Sequence, residues 1–253
     1  MSAEQESFIS HLIELRQRLV RAVSAVLVLF VVLFIWPGSG TIYDLLAAPL
    51  MSALPEGSRM IATGVITPFM VPVKVTALAA FMAALPYVLY QAWAFVAPGL
   101  YQHEKRLALP VIVSSVVFFA IGMCFAYFVV FPVAFGFFAG YTPAGVQMMT
   151  DIDKYLSFVL TMFIAFGITF ETPVVVVVLV RMGVVSVEKL RSFRPYVIVG
   201  AFVMGAIFTP PDVISQSLLA VPLWLLYELG LLLARFVGAP QREAEAETEA
   251  TSS

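Results

Sequence analysis

The amino-acid sequence predicts an all-α membrane protein with six transmembrane helices and both termini in the cytoplasm. Three observations predict it. Hydrophobic residues make up 61% of the 253 residues and charged residues 12%, where a soluble domain carries about 45–50% and about 25%. Six apolar runs approach the ~20 residues that a helix needs to cross a bilayer, near 19–36, 71–95, 108–135, 155–180, 196–209 and 215–235. Basic residues are shared unevenly between their flanks. Arg16, Arg18, Arg21, Lys105, Arg106, Arg181, Lys189, Arg191, Arg194, Arg235 and Arg242 lie on one side, and only Arg59, Lys74 and Lys154 on the other. The basic-rich side faces the cytoplasm, which requires an even number of spans. Helices are expected because lipid cannot satisfy exposed backbone groups, and the runs are too long and continuous for barrel strands.

The N-terminal stretch FISHLIELRQRL places Phe8, Leu12, Leu15 and Leu19 at helical spacing, which makes one apolar face. Glu14 lies off that face. It reads either as the partner of Arg18 in an ordinary i,i+4 ion pair or as an acid placed where a ligand would first meet the membrane. The polar, acidic start lacks a small-residue cleavage site, so no cleaved signal peptide is expected. The loop after the first span, residues 37–70, is too apolar to float free, and its pieces TIYDLLAAPLMSAL and ITPFMVP are expected to cap the outer surface. Between spans two and three, QAWAFVAPGLYQHEKRLALP carries the acid Glu104, with Trp93 and Phe95 at the membrane boundary. An interfacial aromatic belt with a solvated charge run is the ordinary reading. Together, however, Glu14 and Glu104 set two carboxylates on one side of the membrane, among aromatics.

The third span brings Pro132, and the fourth brings Glu171 with Pro173 two residues on; Pro86 and Pro222 lie in the second and sixth. Each proline is expected to kink its helix. A central acid costs about 2.5–3.5 kcal/mol on insertion scales, so Glu171 is expected to face protein or a wet cavity. The fifth run, YVIVGAFVMGAIFT, covers only about 21 Å of a hydrocarbon core of about 30 Å, so it should thin the bilayer or lean on partner helices. The sixth run carries Gln216 and Glu228. The tail, residues 237–253, is acidic and poor in apolar residues, hence expected to be disordered, which leaves 1–236 as the membrane domain. No internal repeat is visible.

Several classes drop out. The two histidines, His11 and His103, sit in flanks, which removes a cytochrome with paired histidines on facing helices. No HExxH, GxGxxG or GxxxxGK[ST] occurs, which argues against a zinc protease and a nucleotide-driven machine. No basic patch with interleaved aromatics suggests nucleic acid. Nothing calls for a metal or cofactor, and no enzyme is expected. Cys124, the single cysteine, is expected as a small packed side chain. A proton-coupled small-molecule carrier using Glu171 stays open as an alternative function, although a relay would want further titratable groups, and only Glu228 and Asp212 offer themselves.

The segments HLIELRQRL, SRMIATGVITPF, YQAWAFVAPGLYQHEKR, GMCFAYFVVFP, FGITFETP, RPYVIVGAF and TPPDVISQ resemble, in order, the motifs of the TatC family, the core subunits of the twin-arginine protein translocase. The match runs from about residue 7 to 236. The resemblance implies six helices in a cupped, concave arrangement, recognition of twin-arginine signal peptides on folded cargo, single-span TatA and TatB partners, self-association in the lipid bilayer, and use of the proton-motive force. Residue by residue it implies Glu14 and Glu104 as arginine-binding acids, with Phe95 and Arg16 in the same site. It implies Glu171 on the concave face, Thr209 and Gln216 as partner-helix contacts, and Pro49, Phe69 and Asp212 around the outer surface cap. Where the family's partner site has a further polar position, Ala206 offers no polar group.

Overall fold

The structure is a computed structural model that describes residues 3–53, 60–96, 108–140, 149–208 and 212–237. Ten helices carry nearly all of it: α1 Ala3–Leu33, α2 Ser39–Ala53, α3 Thr67–Val96, α4 Ala108–Phe125, α5 Phe131–Gly140, α6 Ile152–Phe170, α7 Thr172–Arg181, α8 Val187–Ser192, α9 Arg194–Phe208 and α10 Val213–Val237. Among the described residues, strand-like pairing is confined to one parallel bridge, Ile61 to Asp151. Among the described residues, five stretches are long and apolar enough to cross a membrane, namely His11–Ser52, Thr67–Phe95, Leu109–Gly140, Ile152–Arg181 and Val213–Phe236; Arg194–Phe208 is a shorter apolar helix. The apolar runs of the sequence are thus all helical, and the fifth is the short one, as its length in sequence predicts.

Hydropathy alone runs straight from α1 into α2. The chain breaks there because Trp36 precedes Pro37, and a residue before proline is pushed out of the helical region. Trp36 is extended, at φ −148° and ψ 126°, and Gly38 follows at φ +90°, a backbone conformation that glycine takes without a Cβ penalty. The later prolines behave in two ways. Pro132 follows a wider π-helical turn, Ala126–Val130, and Pro173 follows a break at Glu171. Pro86 and Pro222 instead lie inside helices that run unbroken, because packed neighbours can make good what a membrane proline removes.

A proline orphans the carbonyl four residues back, and at two sites a hydroxyl takes it up. Pro49 leaves the Leu45 carbonyl without its helical donor, and Tyr127 Oη donates to it at 2.7 Å. Pro173 does the same to Thr169, whose carbonyl accepts from Thr172 Oγ1 at 2.6 Å.

The chain divides into two compact units, Met1–Val116 with Tyr127–Thr161, and Val117–Ala126 with Met162–Ser253. In the first unit α1 packs along α3, and α2 packs on α3 and α5. Leu46, Leu50, Val71, Val75, Phe131 and Leu156 are buried there. In the second unit α10 packs against α7 and α9, around Val176, Val180, Tyr227, Leu231 and Ala234. Cys124, expected as a packed side chain, is instead exposed: its position on α4 turns it off the packed face.

Asp151 closes the first unit at the mouth of α6. Its Oδ1 accepts the backbone N–H groups of Asp153 at 2.8 Å and Lys154 at 3.2 Å, which caps the helix. Its Oδ2 accepts from the Thr63 hydroxyl and from the Thr63 N–H. The Thr63 hydroxyl, and then the Lys154 N–H, hold the carboxyl down to about 2. Since the folded value lies below the ordinary one, the clasp contributes stability that is present above roughly pH 4 and is lost as pH falls through about 2. Thermal unfolding in detergent between pH 5 and pH 2 is expected to show this acid step in the native chain and a smaller one in Asp151→Asn. An equal acid step in both would remove Asp151 as its cause.

Candidate functional site

The first unit brings together a polar group on α1 and α3. Glu14 lies on α1, and Arg18, one turn on, donates to its Oε1 from Nη2 at 2.6 Å and from Nε at 2.9 Å. Both side chains are partly exposed, Arg18 at 22% and Glu14 at 35%. Arg18 Nη1 also reaches Gln91 Oε1 on α3 at 3.5 Å, at the long limit for a hydrogen bond. Gln91 is only 4% exposed, so a buried amide backs a half-buried ion pair. His11, one turn before Glu14, lies over the ring of Phe95 with centroids 4.4 Å apart and planes 23° from parallel. The site rests on a buried anchor: Trp93 Nε1 donates to the fully buried Ser115 Oγ at 2.7 Å, which fixes the C-terminal turns of α3. Arg16 is exposed on the same helix as Glu14.

Of the sequence-derived site residues, Glu14 and Phe95 therefore share one neighbourhood, bridged by His11. Glu104 lies outside the described residues, as do Thr209 and the tail beyond Val237. The i,i+4 pairing of Glu14 with Arg18 is the ordinary reading of the sequence, and it is present. Gln91 and the His11–Phe95 stack were missed. A glutamine inside an apolar run was the one available signal for Gln91, while the stack joins positions 84 residues apart and leaves no local trace.

The other site residues have structural partners of their own. Glu171 is half-buried at the break between α6 and α7; its N–H donates to the Ile168 carbonyl at 3.1 Å and its carbonyl accepts from Val175 N–H at 3.0 Å. Gln216 Nε2 donates to the Phe202 carbonyl of α9 at 2.8 Å. Glycine at 205 makes this approach possible, since a Cβ there would meet Gln216 Cγ at 2.8 Å. Asp212 caps α10 by accepting the Ser215 N–H at 2.7 Å. Pro49 is buried in α2, and Phe69 is exposed at the start of α3. Glu228, one of two acids considered for a relay with Glu171, is held by Arg194 of α9, which makes it half of an ion pair. Beside these elements the second unit carries an apolar groove of about 820 Å³ lined in part by Phe125, Phe170, Leu218, Val221, Leu225 and Leu229.

Comparison with known proteins agrees with this architecture. The family model for the Sec-independent protein translocase protein (TatC) matches residues 10–222. The chain is 56% identical to the TatC protein of Azotobacter chroococcum mcd 1, over 96% of this chain and 93% of the relative. It is 52% identical to that of Escherichia coli (strain K12), over 97% and 95%. A crystal structure of the twin-arginine translocase receptor TatC superposes with a TM-score of 0.78 at 41% identity, covering 90% of this chain and 99% of that one. With a multi-span helical fold, and a family match across most of its length, the chain belongs to the TatC family and is a transport subunit of a bacterial protein translocase rather than an enzyme.

Proposed function

We propose that this chain is the signal-peptide receptor and core of a twin-arginine translocase in the bacterial inner membrane, with both termini in the cytoplasm. The observation that carries the reading is a partly exposed carboxylate, Glu14, that already holds a guanidinium at 2.6 Å, one turn from the His11 ring that stacks on Phe95. A peptide with two consecutive arginines presents two planar, permanently charged forks. Glu14 takes one and Glu104 the other in charge-assisted geometry, with Phe95, stacked on His11, lining the same site and Arg16 completing the motif. A lysine has the charge but not the fork, so it is the weaker ligand.

Folded cargo then crosses with TatA and TatB subunits, driven by the proton-motive force. The short α9, about 22 Å long by its fifteen residues, is where single-span partners lean, around Thr209, Gln216 and the apolar groove of the same unit. Glu171 supplies a polar point on the concave face, and Pro49, Phe69 and Asp212 shape the outer surface. Photo-crosslinkers at Leu15 and Gln17 beside Glu14, and at Gln102 and His103 beside Glu104, test the site. A twin-arginine peptide is expected to crosslink at both places and to be displaced by unlabelled twin-arginine peptide, not by its twin-lysine analogue. Crosslinking no stronger than that of the twin-lysine peptide would remove the assignment.

A further inference from the structure

The acid expected to receive an arginine is already gripped by one. Arg18 directs Nε and Nη2 at Glu14, but both donors converge on the single oxygen Oε1. A guanidinium in its best geometry makes two parallel bonds to the two oxygens of a carboxylate. Arg18 does not do so here: both bonds end on one oxygen, and its remaining nitrogen leans to Gln91 on α3. The ion pair is also open to water, with side-chain exposures of 22% and 35%, and pairs of that exposure are weak. Arg18 is thus held well enough to occupy Glu14 and poorly enough to give it up. Gln91 offers the guanidinium somewhere to go, since its buried amide oxygen already accepts from Nη1 at 3.5 Å.

We infer that Arg18 is an internal competitor for the receptor acid: it fills Glu14 while the site is empty, yields it to an arriving arginine, and so sets the affinity of the site. This rests on the reading of Glu14 as an arginine-binding acid. Competition has two consequences that simple support does not. Peptide binding exchanges one ion pair for another at Glu14, so this position adds little salt dependence in the native chain. Removing Arg18 makes the peptide's pair a net gain, which raises both the affinity and its sensitivity to salt.

The test uses the full chain in nanodiscs and a fluorescent synthetic peptide carrying consecutive arginines, with affinity read by anisotropy at low and high salt. Arg18→Gln is expected to bind about two- to five-fold more tightly, the range that an ion pair of this exposure implies, with a steeper loss of affinity in salt. Arg18→Lys, which keeps the charge without the fork, is expected to fall between Arg18→Gln and the native chain. Unchanged or weaker binding by a folded Arg18→Gln overturns the proposal, because Arg18 then positions Glu14 rather than competing for it. Where Arg18→Gln does not fold, Arg18→Lys decides: tighter than native supports competition, equal or weaker overturns it. Glu14→Gln separates the two levels. Native affinity in Glu14→Gln removes Glu14 from the site and the competition with it. Weakened binding in Glu14→Gln, with no gain in Arg18→Gln, keeps the receptor reading and removes only the competition.

Discussion

Alanine at both Glu14 and Glu104 is expected to lower the affinity for a twin-arginine peptide by up to about a hundred-fold and to stop export of its cargo. A hydrogen bond to a charged group contributes about 1.5–3 kcal/mol, and partial exposure, 35% at Glu14, screens it toward the lower end. That is up to about ten-fold for each acid, less at Glu14 by what the displaced Arg18 pair contributes. The more telling effect is on choice. The native chain is expected to bind the twin-arginine peptide far better than a twin-lysine one. The doubly substituted chain, with neither carboxylate to match a fork, is expected to bind both alike. Equilibrium binding to the purified chain measures each term, and arginine preference that persists after both substitutions would move specificity elsewhere in the molecule.

Leucine at Gly230 is expected to break the packing of the second unit. A Cβ at this position of α10 would lie 2.9 Å from Val176 Cβ and 3.0 Å from Pro173 Cα. Neither neighbour yields easily, since Val176 is buried and Pro173 belongs to the backbone at the start of α7. Overpacking of this kind costs typically about 1–3 kcal/mol, and small residues at helix contacts are what let membrane helices approach. The expected series is a clear loss already for Gly230→Ala, whose Cβ makes both contacts, and collapse of α7–α10 packing for Gly230→Leu, read as thermal unfolding in detergent and as protease sensitivity. Gly200 on α9 is the control, because a Cβ there meets nothing within 4 Å and Gly200→Ala is expected to be silent. Equal damage at both positions would mean that the close approach does not decide, since alanine is the better helix former at either one.

What the sequence disclosed followed the range of the physics. Helical periodicity and span length are local, so the helices, the short α9 and the Glu14–Arg18 pair could all be read directly. The break at Pro173 was also legible, because proline acts on its own helix; the unbroken paths through Pro86 and Pro222 were not, because they depend on neighbours. Lateral pairings left no mark. Glu228 looked like an unexplained acid until the α9–α10 hairpin set it beside Arg194, 34 residues away. Asp151 and Thr63 are 88 positions apart. Gln216 looked available to a partner, but its amide nitrogen serves the Phe202 carbonyl within its own hairpin.

That hairpin bears on how the chain enters the membrane during synthesis. Alone, α9 has only fifteen residues, too short to partition well into ~30 Å of hydrocarbon. Joined to α10 it brings a neutralising acid for Arg194 and an amide for the Phe202 carbonyl. The last two helices therefore suit insertion as one preassembled step, and a stop in translation after α9 but before α10 would leave the shorter helix stranded at the surface.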